Sequence, residues 1–344
     1  AVEEGICGCT TLGHKEIKAG IDAGEFDSVY DVFKKLDWKT QDGCSKCRPA
    51  VNYYLLVKYN DDKYQNDKRS ALVNDRVSAN IQKDGTYSVV PRIWGGVTSP
   101  KELKDIADIA VKYEVPLIKF TGGQRLDMFG VTKDQLAPMW KDLNDCGFVS
   151  GQAYAKGLRT VKTCVGNTYC RFGTQDSMNM GVVLEKLTWG SWTPHKYKIA
   201  VSGCPRNCAE ATIKDFGVVG VDSGWEIHIA GNGGIKVRVT DLLCKVETDE
   251  ELFEYTKGFM QFYREDAYYL ERTAHWIERV GLQYIKDVML NDEKRKYYAK
   301  RFEESQKSAQ VDPWAKSIED GFTKEFDKIV ISPEDSFSFE AKEF

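Results

Sequence analysis

Eight of the ten cysteines in this chain fall into two tight sets, and thiols grouped in this way are candidates for metal ligation. The first set is Cys7-x-Cys9 followed by Cys44-x2-Cys47; the second is Cys164-x5-Cys170 followed by Cys204-x3-Cys208. Four thiolates satisfy either a zinc ion or an iron–sulfur cluster, and spacing is the clue between them. Zinc sites pair their cysteines in close knuckles, whereas a cube has its irons at separated corners and draws ligands from a wider loop. The stretch CVGNTYC (164–170) offers such a loop, with Gly166 and Asn167 as turn residues. In SGCPRNCAEA (202–211), Pro205 suits a first helical turn, so the spacing predicts a helix start with Cys204 as N-cap and Cys208 one turn on. The helix dipole there would favour thiolate. The second set therefore reads as the ligands of one cluster, held between a loop and a helix start. In the first set, two close pairs stand at the starts of helical segments, where a cluster and a structural zinc ion both remain open. Cys146 and Cys244 stand outside both sets and read as small buried apolar side chains.

The chain of 344 residues is longer than one ordinary core needs, which predicts two or three domains. Residues 1–65 read as short helices: TLGHKEIKAGIDAG, DSVYDVFKKLDW and RPAVNYYLLVKY space their apolar residues near the helical period, with Ser28 as an N-cap and Pro49 in a first turn. YNDDKYQNDKRS (59–70) is polar and unpatterned and reads as a linker. Residues 86–145 alternate strand TYSVV, helix SPKELKDIADIAVKYE, strands PLIKFT and RLDMFG, and helix TKDQLAPMWKDLND, with Ser99, Pro100 and Glu102 as a capping-box start. That order is a βαββα unit, half of a ferredoxin-like pattern. Beyond it, KYKIAVS, FGVVGV, WEIHIAG and IKVRV read as short strands among helices, and Thr248 with Glu251 opens a long helical stretch. The fold class is α+β, in the order 1–65 helical module, 66–150 ferredoxin-like half-domain, 151–290 mixed α/β domain, 291–344 charged helix and acidic tail. That last segment reads either as solvated helix with a frayed end or as a docking segment for a partner.

A net charge of −4 with interspersed signs gives no overall basic field, so neither nucleic acid nor an anionic membrane surface is an expected partner. No apolar run approaches the roughly 20 residues of a membrane span, and residues 1–20 lack the order of a secretory signal, so a cytoplasmic location is expected. The chain does not open with Met, so it reads as trimmed or excised, and a larger parent protein stays open as its source.

The C-x5-C…C-x3-C pattern, framed by KTCVGNTYCRFG (162–173) and KYKIAVSGCPRNCAEA (196–211), resembles the sirohaem and [4Fe-4S] domain of the nitrite and sulfite reductase haemoproteins. The likeness covers about residues 1–290 and is greatest to the carboxy-terminal half of large subunits of the assimilatory, NAD(P)H-dependent type. The resemblance implies sirohaem as cofactor, with Cys164, Cys170, Cys204 and Cys208 on the cube and Cys208 bridging it to the haem iron. It also implies that residues 86–145 form the family's "parachute" unit. The Cys7, Cys9, Cys44, Cys47 arrangement resembles the bacterioferritin-associated-ferredoxin-like [2Fe-2S] module, which implies an electron relay.

Reducing nitrite to ammonium requires a site that attracts an anion, stabilises charge on bound oxygens and delivers protons. The resemblance implies two arginines and a lysine pair for this. Lys196 and Lys198, two apart in a strand and so on one face, match the pair. Arg125 and Arg159 match the arginines more loosely, because Gly123-Gln124-Arg125 stands where many relatives carry Arg-Gln; Lys119 and Lys162 are further candidates. Each of these cations taken alone also fits a solvated surface charge. AGNGGIKVR (230–238) is a glycine-rich turn without a following helix, so it fits neither a dinucleotide fingerprint nor a phosphate loop. Gly231, Asn232, Gly233, Lys236 and Arg238 then suit either a turn against the carboxylate rim of sirohaem or an ordinary β-hairpin. His14, His195, His228 and His275 show no ligand spacing and are assigned no metal.

No flavin or dinucleotide motif occurs, so electrons are expected from a flavin and NAD(P)H module or subunit. Larger members of the family carry two copies of the parachute-plus-cluster unit, and the single copy here implies a homodimer or a pseudo-dimer with a related subunit. Three functions stay open: sirohaem-dependent six-electron reduction of nitrite, the same chemistry on sulfite, or a non-catalytic iron–sulfur carrier or zinc scaffold.

Overall fold

A computed structural model describes residues 5–59, 64, 67, 70, 80–149 and 156–319. Most of the expected linker and all of the acidic stretch 332–344 lie outside these residues. The described chain divides into two compact units, one holding residues 5–59, 64, 67, 70 and 268–270, the other 80–149, 156–267 and 271–319.

The first unit is helical: α1 (His14–Ala23), α2 (Val29–Lys35) and α3 (Cys47–Tyr59). Ser28 Oγ accepts the Asp31 amide at 3.1 Å and so starts α2, with Pro49 in the first turn of α3. Ile17, Ile21, Val32, Phe33, Val51 and Leu55 are buried together in this small core. Lys58, at the end of α3, donates to the Ile21 carbonyl at 2.7 Å and to that of Gly24, which satisfies orphan acceptors at the end of α1.

The second unit begins with a four-stranded antiparallel sheet: β1 (Asn80–Ile81), β2 (Tyr87–Val89), β3 (Leu117–Phe120) and β4 (Leu126–Val131), in the order β1-β2-β4-β3. With α4 (Pro100–Lys112) and α5 (Lys133–Asp145) it makes the expected βαββα arrangement, and only the two-residue β1 was absent from the sequence reading. The Ser99–Glu102 capping box is formed, with bonds of 3.2 and 2.8 Å. Ile106, Met128, Leu136, Met139 and Trp140 build the shared core.

A five-stranded mixed sheet follows, in the order β11-β8-β7-β6-β5. Its strands β5 (Leu158–Thr163), β6 (Tyr197–Ser202) and β7 (Phe216–Val221) run parallel, and β8 (Gly224–Ile229) and β11 (Asp241–Val246) antiparallel. The crossover from β5 to β6 carries the short α6 (Gly166–Tyr169) and then α7 (Ser177–Thr188). β9 (Asn232–Gly233) and β10 (Val237–Arg238) form a separate hairpin. Then come α8 (Asp249–Asp266), opened by Thr248 and Glu251 as expected, α9 (Thr273–Val280), α10 (Leu282–Met289), α11 (Asp292–Ala309) and α12 (Pro313–Glu319).

Three expectations are corrected. No helix starts at Cys204: residues 203–210 are turns, because Asn207 and Glu210 adopt left-handed backbone (φ 58° and 59°) that an α-helix excludes. α11 is a packed helix, not a solvated one, since Phe302 and Ala299 are buried and Arg295 bonds Glu254 at 2.6 Å on α8. Cys146 is exposed where α5 ends, and Cys244 is half-buried.

One buried carboxylate connects the two sheets. Glu185 on α7 accepts from Arg92 Nη1 at 2.6 Å, the Gly95 amide at 2.8 Å and the Val161 amide at 3.2 Å. Replacing it by Ala strands a buried guanidinium; Glu185→Ala is expected to cost about 3–5 kcal/mol in urea unfolding of the holoprotein, and Glu185→Gln, which keeps an acceptor, less.

Candidate metal and anion sites

In the first unit, the ligand atoms of Cys7, Cys9, Cys44 and Cys47 all lie within 4.8 Å of one another. The Cys7 turn is closed by the Cys9 amide donating to Cys7 Sγ at 3.4 Å; at the entry to α3 the Cys44 amide donates to Cys47 Sγ at 3.1 Å. Gly43, at φ 65°, lets the chain turn here, since a Cβ would stand 2.6 Å from the Phe33 ring. Burial pushes the Cys7 thiol up to about 11 and raises Cys47 further. For Cys44 burial acts in the same sense but is outweighed by the amides of Cys47 and Lys46 and by the neighbouring thiols, so its pKa lies below the ordinary value.

In the second unit, Cys164 follows β5 and Cys204 follows β6, at the carboxyl ends of adjacent parallel strands, where open α/β sheets bind their ligands. The Gly203 carbonyl accepts from the amides of Thr174 (2.8 Å) and Gln175 (3.0 Å), and the Gly203 amide donates to Cys164 Sγ at 3.1 Å, so the two cysteine loops are bonded to each other. A Cβ at Gly203 would meet the Gln175 carbonyl at 2.8 Å, which explains the glycine. Asn207 fixes the second loop: its Oδ1 lies 3.4 Å from Ser202 Oγ, and its Nδ2 donates to Thr212 Oγ1 at 2.6 Å. Cys204 is buried, Cys164 and Cys170 are half-buried, and Cys208 is exposed. Arg171 and Arg206, beside and within the two motifs, lie over the Phe172 ring at 4.6 and 3.9 Å.

The expected cations separate into groups. Arg125 and Arg159 line one pocket with Arg92, Thr160 and Glu185. Lys196 and Lys198, at the start of β6, have no ion-pair partner among the described residues. Burial, then Arg272 and Arg159, pull the Lys196 ammonium below its ordinary pKa, and burial followed by Lys196 does the same to Lys198. Beneath them the fully buried Asp215 accepts the Lys198 amide at 2.9 Å, Arg272 Nη2 at 2.9 Å and Thr273 Oγ1 at 2.6 Å. Lys162 is engaged by Glu210 at 3.1 Å, which also holds Lys214 at 3.0 Å. Lys119 sits on β3, whose four residues are all exposed, outside the pocket lining. Gly231, Asn232, Gly233, Lys236 and Arg238 form the hairpin; Lys236 pairs with Glu278 at 3.1 Å and Arg238 with Asp241 at 2.6 Å.

The lysine pair and the cysteines do not meet within the unit. Lys198 and Ser202 are four strand residues apart on β6, roughly 13 Å at the strand rise, and Cys204 lies beyond.

Sequence reasoning missed Arg92, Gln124, Lys156, Glu185, Asp215 and Arg272. Gln124 clamps the β3–β4 turn to β5, its Nε2 donating to the Thr163 carbonyl and its Oε1 accepting the Thr163 amide, both at 2.8 Å. Arg171 and Arg206 were open to discovery, because they sit beside the cysteines in the motifs themselves.

Comparison with known proteins adds three matches: "BFD-like [2Fe-2S] binding domain" over residues 5–56, "Nitrite/Sulfite reductase ferredoxin-like half domain" over 80–146, and "Nitrite and sulphite reductase 4Fe-4S domain" over 154–297. An assimilatory-type sulfite reductase of Nitratidesulfovibrio vulgaris is 36% identical over 211 residues, and the alignment covers 95% of that protein and 61% of this chain. The chain belongs to the nitrite and sulphite reductase family. Within the family, the NAD(P)H nitrite reductase of Bacillus subtilis is 54% identical over 96% of this chain and 41% of its own length, and the NADH nitrite reductase large subunit of Escherichia coli 45% over 73% and 30%. The chain thus spans less than half the length of these two relatives. The structures of the Mycobacterium tuberculosis NirA protein (TM-score 0.53, 16% identity, covering 59% of this chain and 39% of that one) and of dissimilatory sulfite reductase I (0.53, 15%, 60% and 69%) share the fold. The domain matches assign iron–sulfur chemistry, not zinc, to the first cysteine set. No helix among the described residues is long and apolar enough to cross a membrane.

The two cysteine sets belong to different units, so their clusters are separable. Cys164→Ser is expected to lose about four irons and keep the reduced [2Fe-2S] electron paramagnetic resonance signal, and Cys44→Ser to lose about two and keep the [4Fe-4S] signal.

Proposed function

We propose that this chain is the cluster- and sirohaem-bearing part of an ammonia-forming nitrite reductase. Electrons enter through the [2Fe-2S] module from a flavin and NAD(P)H module on another segment or subunit, in the reducing conditions of the cytoplasm. The observation that carries this reading is the cation set at the head of β6: Lys196 and Lys198 without ion-pair partners among the described residues, beside Arg159 and Arg272. Lys196 is half-buried and Lys198 exposed, and together with two guanidinium groups above the Asp215 carboxylate they leave a positive excess that favours a bound anion.

The same cations and the exposed Cys208 fit sirohaem, a carboxylate-rich macrocycle: the cations would hold its carboxylates and the Cys208 thiolate its iron. Cys164, Cys170, Cys204 and Cys208 would hold the cube. When bound, sirohaem supplies the iron on which the nitrogen oxyanion is reduced. The chain's own residues attract and orient that anion: Lys196 and Lys198 donate to its oxygens, and Arg159, lining the pocket with Arg125, adds a planar donor. Ammonium groups with lowered pKa release protons more readily, which suits a reaction that consumes protons as N–O bonds break.

The separation of roughly 13 Å or more along β6 between Lys198 and the cysteine end supports assembly from two copies, the cluster of one facing the lysines of the other. Sulfite is the second reading, favoured by the 36% identity that covers nearly all of a sulfite reductase.

With chemically reduced viologen as donor and haem-loaded protein, ammonium formed per nitrite consumed is expected near one; sulfide from sulfite with no ammonium from nitrite would select the second reading. Mixing inactive Cys208→Ser protein with inactive Lys196→Ala/Lys198→Ala protein is expected to restore roughly a quarter of wild-type activity, half of the dimers being mixed and one of two sites intact in each. No recovery on mixing would rule out a site shared between copies.

A further inference from the structure

His195 is an odd neighbour for a cation site. It stands immediately before Lys196, is largely buried, and has Arg272, Lys196, Lys156 and Arg159 around it. Burial first, and then those four cations, press its pKa down to about 4, so the imidazole is uncharged across the physiological range. Its hydrogen bonds say what the neutral ring does. Nδ1 lies 2.7 Å from the Lys196 amide nitrogen, and an amide can only donate, so Nδ1 is the acceptor and the ring proton is on Nε2. Thr193 Oγ1 donates to the His195 carbonyl at 2.5 Å, so the same His195–Lys196 peptide unit is held at its carbonyl as well as at its amide. Lys196 itself precedes β6, whose first residue is Tyr197, so its amide lies outside the strand's ladder and finds its partner in the ring.

We infer that His195 is a positioning residue of the anion site: its neutral imidazole accepts the Lys196 amide and thereby sets the direction in which the Lys196 side chain leaves the chain. A permanently charged side chain at this position would add attraction for the anion but has no acceptor for the amide. Protonated imidazole fails in the same way, because its Nδ1 then carries a hydrogen facing the Lys196 N–H. The low-pKa surroundings keep the acceptor available while nitrite is bound and protons are consumed beside it.

The inference rests on the anion-site reading, and the test has one arm independent of it. His195→Asn retains an acceptor on a short side chain, whereas His195→Leu fills a similar volume without one. In hydrogen–deuterium exchange of the haem-loaded protein, the Lys196 amide is expected to stay protected in wild type and His195→Asn and to exchange at least tenfold faster in His195→Leu. In viologen-driven assays, His195→Leu is expected to raise the KM for nitrite about tenfold with kcat changed less than about twofold, and His195→Asn to leave both near wild type. Equal Lys196 protection in wild type and His195→Leu, or equal KM loss in both variants, would overturn the inference. Changed exchange in a protein that turns over sulfite and not nitrite would keep the role of His195 and discard the substrate.

Discussion

Three backbone or side-chain donors converge on the carboxylate of Glu185, and the geometry of the second unit depends on that convergence. Arg92 and Gly95 come from the segment between β2 and α4, Val161 from the middle of β5, and the carboxylate itself from α7. A carboxylate this deeply buried is tolerable only with its lone pairs filled and its charge matched. The requirement acts in reverse as a locator: three chain segments far apart in sequence have to arrive together. Arg159 is two residues before Val161 on β5 and lines the same pocket as Arg92 and Glu185, so the placement of one candidate anion ligand follows from this bond set. The Gln124 amide, clamped to Thr163, repeats the coupling two residues further along the strand.

Asp215 performs a parallel task under the lysines. Its five acceptor contacts hold the Lys198 backbone, Arg272 and Thr273, which joins the start of β6 to the start of α9. One acid against several cations leaves a local positive excess, although the chain as a whole is net negative. The attraction proposed for a small anion thus rests on one local arrangement, not on overall charge.

What the sequence disclosed was local, and what it concealed was not. The grouping of Cys7, Cys9, Cys44 and Cys47, the Ser28, Ser99 and Thr248 caps, and the alternation around residues 86–145 were legible from residue types and spacing, and each appears in the fold. β5 escaped notice because LRTVKT mixes charge into a strand that is half-buried at Arg159 and Lys162, and β11 because a bulge between Leu242 and Cys244 breaks its period. The helix expected after Cys204 failed on two residues: Asn207 spends its side chain on Thr212 and Ser202 and turns left-handed, and Glu210 does the same while bonding Lys162 and Lys214. Arg272, Asp215 and Glu185 carry no local signature at all, since each acts through partners outside its own turn of chain, from 17 to 93 residues away.

The half-domain core contains a guest. Trp314 of α12 is fully buried and stacks on Trp140 with ring centroids 4.3 Å apart, across 174 residues of chain (314 less 140). A ribosome emits residue 140 long before residue 314, at about 5–20 residues per second. The ferredoxin-like half-domain therefore leaves the exit tunnel with one face of its core bare, and it must wait for the five-stranded sheet and its helices to be made before that face is covered. For those seconds the nascent chain exposes Trp140 and its neighbours, so the arrival of α12 decides when this four-stranded sheet is safe from misassociation.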